Sequence, residues 1–584
     1  MFGLLSYVLT ATAAEPFQVV TGPYAAPIPS AGAGDSWSPV VSQDGRYVLF
    51  ASSANNLTLT SSNSSFVPVF PAVDNVFLRD RTNGTTMLVS VNLAGTGGGS
   101  GGDSFPVDIS TNGQYVLFES SATNLVPGVN NHFNNVFIRD VVNGLTSLVT
   151  VNTNGMSGNG ASHSSAMTSD GRYVAFVSAA SDLVPGDSNK IEDVFVRDMQ
   201  LGNTVLASPG AMGTAPYGSD WPAITPDGHY VVFYSTATNL VPGITNRSEI
   251  YIRDLVAGTT TLASAFSHTV LPSVFNITNG VSFNHVVSAD GQYVAYQAGK
   301  SASNGAPGII LRYNAFTGFT DTIATNAAAG RLGAETNYHS LDMSADGRFV
   351  CFVTNLSTSG SNSAINVWDA QSNTFTLVSG NLTSNAVPTN TLCDWPVMDS
   401  TGQYIAFLSS ATGLTSNSVS AGYHLYFRDI QPGVTQLLDV DTNGVGSISN
   451  SLTFPRMSKN AHVAAWEAPD GSLVAGDNNQ AYDVFARDIV NQDTELISIR
   501  RNELPCLTPG GRCLMLSSSV STNARYIAYS CDANNLTMGV TNGFFNVYAR
   551  DLLTDANALV SVDRNGVLPG NGLSVDATIS ADGR

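Results

Sequence analysis

The stretch SADGQYVAY at 288–296 decides the fold, because variants of it recur about every sixty residues along the chain. SADGRFVCF at 344–352 and TSDGRYVAF at 168–176 are two further copies. A second phrase, such as DNVFLRD at 74–80, follows the Asp-Gly by roughly thirty residues, and a third, such as GTTMLVS at 84–90, comes after it. A chain that repeats one short unit builds one structural module many times.

Each unit predicts four short antiparallel strands. Asp-Gly or Asn-Gly supplies the positive φ of a tight hairpin turn, and the strand after the turn is rich in aromatic and β-branched residues. The second and third phrases are the third and fourth strands, and helical periodicity is absent. These turns begin at Asp44, Asn112, Asp170, Asp227, Asp290, Asp346 and Asp582, with Thr401-Gly402, Asn460-Ala461 and Asn523-Ala524 in their place elsewhere.

An all-β propeller is the expected fold, because radial stacking buries both faces of a four-stranded sheet. We expect a signal-like remnant and an orphan strand over 1–22, and a repeat array over 23–584. The array holds nine complete blades of roughly 60 residues and a partial tenth at 576–584, which predicts a truncated product. Nine blades exceed the common range, so either one large ring or two rings form. No Pro- or Ser-rich linker separates two halves, which favours one continuous array.

The unit resembles the WD-like repeat of TolB-type β-propellers, whose core phrase is S-P-D-G-x-x-[ILV]-A-[FY]. TPDGHYVVF at 225–233 and SADGQYVAY at 288–296 carry the resemblance. The longer form, with N-L-V-P-G ahead of D-V-F-V-R-D, is similar to a variety found in large exported bacterial proteins. The resemblance covers nearly the whole chain and implies the fold, but propellers host enzymes, scaffolds and receptors alike.

Composition excludes some partners. The net charge is −20 and the chain has three lysines against 44 acidic residues, so nucleic acid and anionic membranes would be repelled. MFGLLSYVLTATAAEPF at the start resembles the end of a secretory signal without its basic region, the alternative being an apolar tail. No later stretch is apolar enough to span a bilayer. We expect an extracellular, periplasmic or cell-surface protein.

The five cysteines predict at most one local cross-link. Cys506 and Cys513 bracket a Pro-Gly-Gly turn and are placed to form a disulfide in an oxidising compartment. Cys351 and Cys531 lie in apolar strand phrases and are expected to be buried. No C-x-x-C pair occurs, so no zinc site is predicted.

The loop before the third strand suggests a calcium site in two blades. D-x-N-x-x-x-D spacing after a Gly presents the oxygen ligands that Ca²⁺ requires. The alternative is an Asx turn, in which these side chains bond their own backbone. The residues are Asp187, Asn189 and Asp193 in blade 3, and Asp477, Asn479 and Asp483 in blade 8. No other cofactor is predicted.

A ring of mixed side chains is expected at one mouth of the central channel, which the first strand of each blade lines. Imidazole, carboxylate and indole groups there would bind a sugar or a peptide, or support acid–base chemistry. The alternative is polar lining or packing between blades. The residues are Trp37, His163, Asp220, Trp221, His285, His339, Asp394 and Trp395.

Arg-Asp recurs after V-F-x in seven of the nine units, as in Arg197-Asp198. Repetition at one blade position argues for a structural role, either an ion pair within the blade or a turn contact. Catalytic signatures of the G-x-S-x-G, H-E-x-x-H and Gly-rich phosphate-loop types are absent.

The favoured function is an exported binding module without catalysis. Such a propeller would present its loops to a protein or carbohydrate partner, as a monomer or as part of a larger chain. One alternative is a propeller enzyme, a glycan lyase or glycosidase, with its site at the channel mouth. Another is an architectural segment of a large surface protein.

Overall fold

The structure, a computed structural model, describes residues 32–580 except 33, 55, 59–72, 130, 214–217, 245–247, 301–306, 329–338, 357–361, 385, 448–453, 478–480, 501–512, 517–518, 522–524, 534–535, 538, 541–543 and 555. The chain divides into two compact units. The larger comprises Gly34–Asp477 and Ala481–Leu504, and the smaller comprises Met1–Ala33, Asn478–Gln480 and Pro505–Arg584.

The first half of the larger unit is a series of four-stranded antiparallel sheets, each in chain order from the first strand to the fourth. We call these sheets blades. Blade 1 is β1 (Ser36–Val41), β2 (Tyr47–Ser52), β3 (Asn75–Asp80), β4 (Thr85–Leu88); blade 2 is β5 (Ser104–Ile109), β6 (Tyr115–Ser120), β7 (Asn135–Asp140), β8 (Leu145–Leu148); blade 3 is β9 (Ser162–Met167), β10 (Tyr173–Ser178), β11 (Asp193–Asp198), β12 (Asn203–Leu206); blade 4 is β13 (Ser219–Ile224), β14 (Tyr230–Ser235), β15 (Glu249–Asp254), β16 (Thr259–Leu262).

The second half continues the series after one helix, α1 (Ser267–Phe275). Blades 5 and 6 share one sheet, because Ala327 of the fourth strand pairs with Thr354 of the next blade. Blade 5 is β17 (Val281–Val287), β18 (Tyr293–Gly299), β19 (Pro307–Asn314), β20 (Thr320–Ala328); blade 6 is β21 (Leu341–Met343), β22 (Phe349–Asn355), β23 (Ser363–Asp369), β24 (Thr374–Leu377); blade 7 is β25 (Cys393–Met398), β26 (Tyr404–Ser409), β27 (His424–Asp429), β28 (Val434–Leu437); blade 8 is β29 (Arg456–Met457), β30 (Val463–Ala468), β31 (Asp483–Asp488), β32 (Asp493–Leu496).

Eight blades close a ring within the larger unit. First strands of successive blades contact one another from β1 round to β29, and β29 and β30 contact β1. The Ser36 amide donates to the Tyr482 carbonyl at 2.5 Å, and Arg81 pairs with Glu495 across the same boundary. The all-β propeller predicted from the sequence is confirmed. Its ring has eight blades, and the ninth repeat belongs to the smaller unit.

The core lies between blades, where one blade's third and fourth strands meet the next blade's second and third. Val76 and Val89 of blade 1 pack against Val116 and Phe118 of blade 2, all fully buried. Val484 and Ile497 of blade 8 pack in the same way against Phe50 of blade 1. Each blade therefore covers its neighbour, and closure covers the face that would otherwise be left open.

The Asp-Gly turn also serves packing between blades. Gly171 has φ +76°, which side chains other than glycine's tolerate poorly. A Cβ there would lie 2.6 Å from Cδ2 of Tyr115 in the preceding blade. Glycine is required both by the backbone conformation and by the close approach of that ring.

The Arg-Asp phrase makes contacts within its blade, but its two residues bond elsewhere than to each other. Arg197 donates to Thr204 Oγ1 at 3.0 Å. Asp198 accepts from Arg172, the residue after the Asp-Gly turn, at 2.9 Å, and from the Gln200 amide. The Asp thus links the first turn of the blade to its last hairpin.

A disulfide joins Cys513 to Cys531 in the smaller unit. The predicted pairing of Cys513 with Cys506 is therefore wrong, because Cys513 faces Cys531 across β33 (Cys513–Leu514) and β34 (Tyr526–Cys531). Cys506 lies outside the described residues. Cys351 and Cys393 are buried free thiols.

Among the described residues of the smaller unit, one face of its sheet has no covering neighbour. The sheet is completed by β35 (Asn546–Asp551) and β36 (Ala556–Leu559). The Val560 amide donates to the Val547 carbonyl, just as Val149 donates to Val136 in blade 2, so the two valines are equivalent. Val149 is fully buried, whereas Val560 is 54% exposed. A ninth sheet of the same kind lacks, in the described residues, the neighbour that covers this face in the ring.

Val149 and Val560 allow a matched test of whether this face of each sheet is covered. Val149→Ala should lower the free energy of opening of blade 2 by about 2 kcal/mol, because two buried methyl groups are lost. Val560→Ala should change that of the ninth sheet by less than about 0.5 kcal/mol. Native-state hydrogen exchange of the two sheets measures both. Equal losses would show that the face of the ninth sheet is covered in solution.

Candidate functional site

The first strands of the ring carry a repeated β-bulge. Their pairing with the second strands shifts register in mid-strand, for example between Asp220 and Ala223. A non-glycine residue with positive φ occupies the shift in five blades: Ser38, Ser164, Trp221, Asn284 and Trp395, with φ between 49° and 55°. Such conformations cost roughly 1–3 kcal/mol each and persist where the surroundings impose them. Bulges re-aim side chains, and here they lie around the centre of the ring.

Seven of the eight residues predicted at the channel mouth lie at or beside this bulge. Trp37, His163, Asp220 and Asp394 directly precede the bulge position, Trp221 and Trp395 occupy it, and His285 follows it. His339 lies just before β21 of blade 6, whose pairing with β22 has no register shift. The structure brings six of them into contact with another of the set, in three clusters between neighbouring blades. Trp37 is half-buried on blade 1. The amide of its neighbour Ser38 donates to Glu467 of blade 8 at 2.7 Å.

The first cluster surrounds His163 of blade 3. Its Nε2 lies 3.2 Å from Glu192 Oε1, and its Nδ1 lies 2.9 Å from Ser164 Oγ and 3.9 Å from Asp220 Oδ1. An imidazole between two carboxylates is a group that can take up and release a proton. Sequence reasoning missed Glu192, although it stands directly before the third-strand phrase.

The second cluster lies between blades 4 and 5. The rings of Trp221 and Tyr234 are 5.3 Å apart. His285 of blade 5 lies against the backbone of Trp221, and burial lowers its pKa to about 4, although nearby backbone groups of Trp221 and Val232 favour the charged form. His285 is therefore a neutral imidazole at pH 7, and its Nδ1 has no hydrogen-bond partner among the described residues.

The third cluster is an aromatic stack across blades 6 to 8. Trp395 lies 3.9 Å from Phe454, nearly parallel to it, and 5.4 Å from His339. Trp395 is only 3% exposed, yet its Nε1 and the His339 Nε2 find no hydrogen-bond partner in the described part of the chain. Burial also lowers the pKa of His339. Asp394 is fully buried and accepts from the Trp395 amide at 2.8 Å, which makes it part of the bulge.

Two carboxylates that sequence reasoning missed link blades one step further along the first strands. Asp342 of blade 6 accepts from the Met343 amide at 2.8 Å and from Met398 of blade 7 at 2.9 Å. Asp108 of blade 2 accepts from Ile109 at 2.8 Å. Burial raises the pKa of Asp108 to about 6, against the amides of Ile109 and Met167 and the charge of Lys459. Their signal is an Asp where blades 1, 3, 4, 5 and 7 have Val or Ala.

The loops predicted to bind calcium are held by hydrogen bonds. Asp193 is fully buried and accepts from Ser208 Oγ and from Asn189 Nδ2, both at 2.6 Å, while Asn189 Oδ1 accepts from the Ile191 amide. Burial raises the pKa of Asp187 and brings that of Asp193 to about 6. These bonds support the Asx-turn alternative for blade 3.

In blade 8, Asp477 and Asp483 are buried, and Asp483 accepts from Ser498 Oγ at 2.6 Å. Asn479 lies outside the described residues. Across the described ranges, no group of three or more His, Cys, Asp or Glu side chains is placed to hold a metal ion. Calcium binding stays a prediction for both loops.

Substitution of Asp193 distinguishes the Asx-turn interpretation of the loop from the calcium interpretation. Asn75, Asn135 and Asn546 stand where blade 3 has Asp193. The pKa of Asp193 is about 6 in the folded protein and 3.8 in the unfolded chain. Ionisation of Asp193 therefore lowers the free energy of unfolding as the pH rises from 3.8 through 6. In a chelator, Asp193→Asn should therefore stabilise the protein by about 1–3 kcal/mol at pH 7.5, and this gain should vanish below about pH 4.

Urea unfolding across this pH range measures the effect. Asn135→Asp in blade 2 is the matched reverse control, and it should lower the free energy of unfolding at pH 7.5. If millimolar calcium instead raises the melting temperature of the wild type, and Asp193→Asn abolishes that rise, the calcium interpretation is correct.

No family model matches the chain, and no curated protein matches it. Solved structures to which it is similar include TolB from Acinetobacter baumannii, at 14% identity and a TM-score of 0.29, covering 60% of this chain and 64% of that one. An oligogalacturonate lyase from Vibrio parahaemolyticus shares 12% identity at a TM-score of 0.39, covering 79% and 91%. A prolyl endopeptidase structure shares 9% at 0.43, covering 75% and 55%.

These likenesses agree with the TolB-type resemblance of the repeat phrase. With TM-scores below 0.5 they decide nothing further, and the propeller fold is established by the sheets of this chain itself. No helix in the described part of the chain is long and apolar enough to cross a membrane.

Proposed function

We propose that the eight-bladed ring is a binding module of an exported protein, and that its ligand contacts the bulged edge of the first strands. The observation that carries the proposal is the aromatic cluster of blades 6 to 8, where the ring nitrogens of Trp395 and His339 are buried without a hydrogen-bond partner among the described residues. A buried polar group without a partner costs roughly 1–3 kcal/mol. A bound ligand that accepts from Trp395 would remove that cost.

The chemistry of the site suits a protein or carbohydrate ligand. Aromatic faces with a few polar groups are typical of sites that bind sugars or peptides. The net charge of −20 argues against nucleic acid and anionic membrane.

Export is supported by the disulfide between Cys513 and Cys531, since disulfides persist in oxidising compartments. The proposed location is extracellular, periplasmic or at the cell surface. Calcium as a ligand of the blade 3 and blade 8 loops belongs to the same proposal, as does a monomer or a place within a larger chain.

The binding proposal predicts that Trp395 reports the ligand. Titration of the protein with panels of oligosaccharides and short peptides should change the tryptophan fluorescence for at least one of them. Trp395→Leu should weaken that ligand roughly tenfold or more, as loss of a central aromatic anchor does. Trp466→Phe is the control, because Trp466 is a buried second-strand residue away from the bulge. A ligand bound equally well by both variants would exclude the bulged edge as its site.

An enzyme is the second candidate, and the His163 cluster favours it. A histidine between Glu192 and Asp220 can act as general base or acid in a glycan lyase or glycosidase acting at the channel mouth. An architectural segment of a large surface protein would not need this cluster.

If the ring is such an enzyme, His163→Gln should reduce turnover of a polysaccharide substrate roughly 10²-fold or more while the melting temperature stays within a few degrees. Reducing-end release and the absorbance of unsaturated sugar ends distinguish hydrolysis from elimination. Turnover that is unchanged by His163→Gln would contradict this role, and turnover of no polysaccharide would leave the binding module as the function.

A further inference from the structure

Blades 5 and 6 depart from the repeat at the position of its arginine. Arg197 of blade 3 pairs with Val174 on the neighbouring strand, and the same pairing places Tyr313 opposite Val294 and Trp368 opposite Val350. In these two adjacent blades, an aromatic ring therefore occupies the position that a guanidinium holds in the other blades. These are the two repeats without the Arg-Asp phrase.

The exchange forms a groove at the outer edge of the ring, away from the first strands. A cavity of about 800 Å³ lies among the segment leading into α1, the β19–β20 hairpin and the β23–β24 hairpin. Phe266, Tyr313, Phe319 and Trp368 contribute aromatic surface to it. Phe319 is 65% exposed and Phe266 38% exposed, so two of these rings are open to solvent. The volume falls within the range of small-ligand sites.

One ion pair organises the polar side of the groove. Arg312, 8% exposed, lies 4.3 Å from the centre of the Tyr293 ring and 4.8 Å from that of Trp368. Its Nε and Nη2 both donate to Oδ2 of Asp321, at 3.0 and 2.7 Å. The arginine therefore holds the carboxylate in place and balances its charge, while Oδ1 retains the capacity to accept a hydrogen bond.

We propose that this groove is a second binding site, for a neutral oligosaccharide. The apolar faces of sugar rings would lie on Phe319 and Phe266, and their hydroxyl groups would donate to Oδ1 of Asp321 and bond the Thr320 hydroxyl. An anionic ligand would meet the Asp321 carboxylate, and a cationic ligand would compete with Arg312, which already neutralises it. A site of aromatic faces and a held carboxylate, with no net charge, fits a ligand rich in hydroxyls and without charge.

Isothermal titration of the full chain with maltohexaose, cellohexaose, chitohexaose and mannohexaose tests the proposal. We expect at least one to bind. Phe319→Ala should weaken that binding roughly tenfold or more, and Asp321→Asn should also weaken it. Phe319 is exposed, so its removal leaves the fold intact.

Phe375→Ala is the matched control, because Phe375 is a 54% exposed phenylalanine of blade 6 that packs against Phe352 outside the groove. It should change affinity less than twofold. The proposal is overturned if none of the four sugars binds, if Phe319→Ala and Phe375→Ala have equal effects, or if Trp395→Leu abolishes sugar binding that Phe319→Ala leaves intact. The last result would assign the sugar to the bulged edge of the first strands and so support the function proposed above while excluding this second site.

Discussion

Every part of the ring depends on one constraint, that a four-stranded sheet must have both its faces covered. A single four-stranded blade has no core of its own, since its large side chains lie at its faces. Val76 and Val89 become buried only because Val116 and Phe118 of the next blade lie against them. The chain satisfies the constraint by returning on itself, where Val484 and Ile497 meet Phe50. In the ninth sheet, where the described residues provide no such neighbour, the equivalent Val560 is exposed.

The same constraint determines where chemistry can be placed. The faces of the blades are committed to packing, so the inner strands and the outer hairpins are the edges that remain. On the inner strands, the bulge concentrates rings and carboxylates of neighbouring blades within contact distance, as with His163, Glu192 and Asp220. Burial there keeps His285 neutral and leaves the nitrogen of Trp395 without a partner among the described residues. Backbone strain at five such positions is tolerated because both neighbouring blades hold the strand.

Local features of the fold were predictable from the sequence, and features formed by distant segments were not. The turns, the four strands and the structural nature of the Arg-Asp phrase follow from residues close together in the chain. Ring closure after eight blades depends on contacts such as Ser36 with Tyr482, which no local pattern encodes. The disulfide between Cys513 and Cys531 was missed for the same reason, because it depends on the pairing of β33 with β34 rather than on a local turn. The eight residues predicted at the channel mouth were chosen from their repeat positions, while Glu192 was missed because it lies on a different segment.

A repeat protein carries its own internal alignment, and the departures from it are informative. Eight blades show what packing alone requires at each position, so a residue that breaks the pattern needs another reason. Asp108 and Asp342 break it on the first strands, and each accepts from a backbone amide of the next blade, that of Met167 and that of Met398 respectively. Tyr313 and Trp368 break it at the arginine position. Both pack in the core between blades, and both also line the open cavity beside Phe319. Departures that only join or pack the blades are accounted for by stability, and those that also line an open cavity are the ones that point to a ligand.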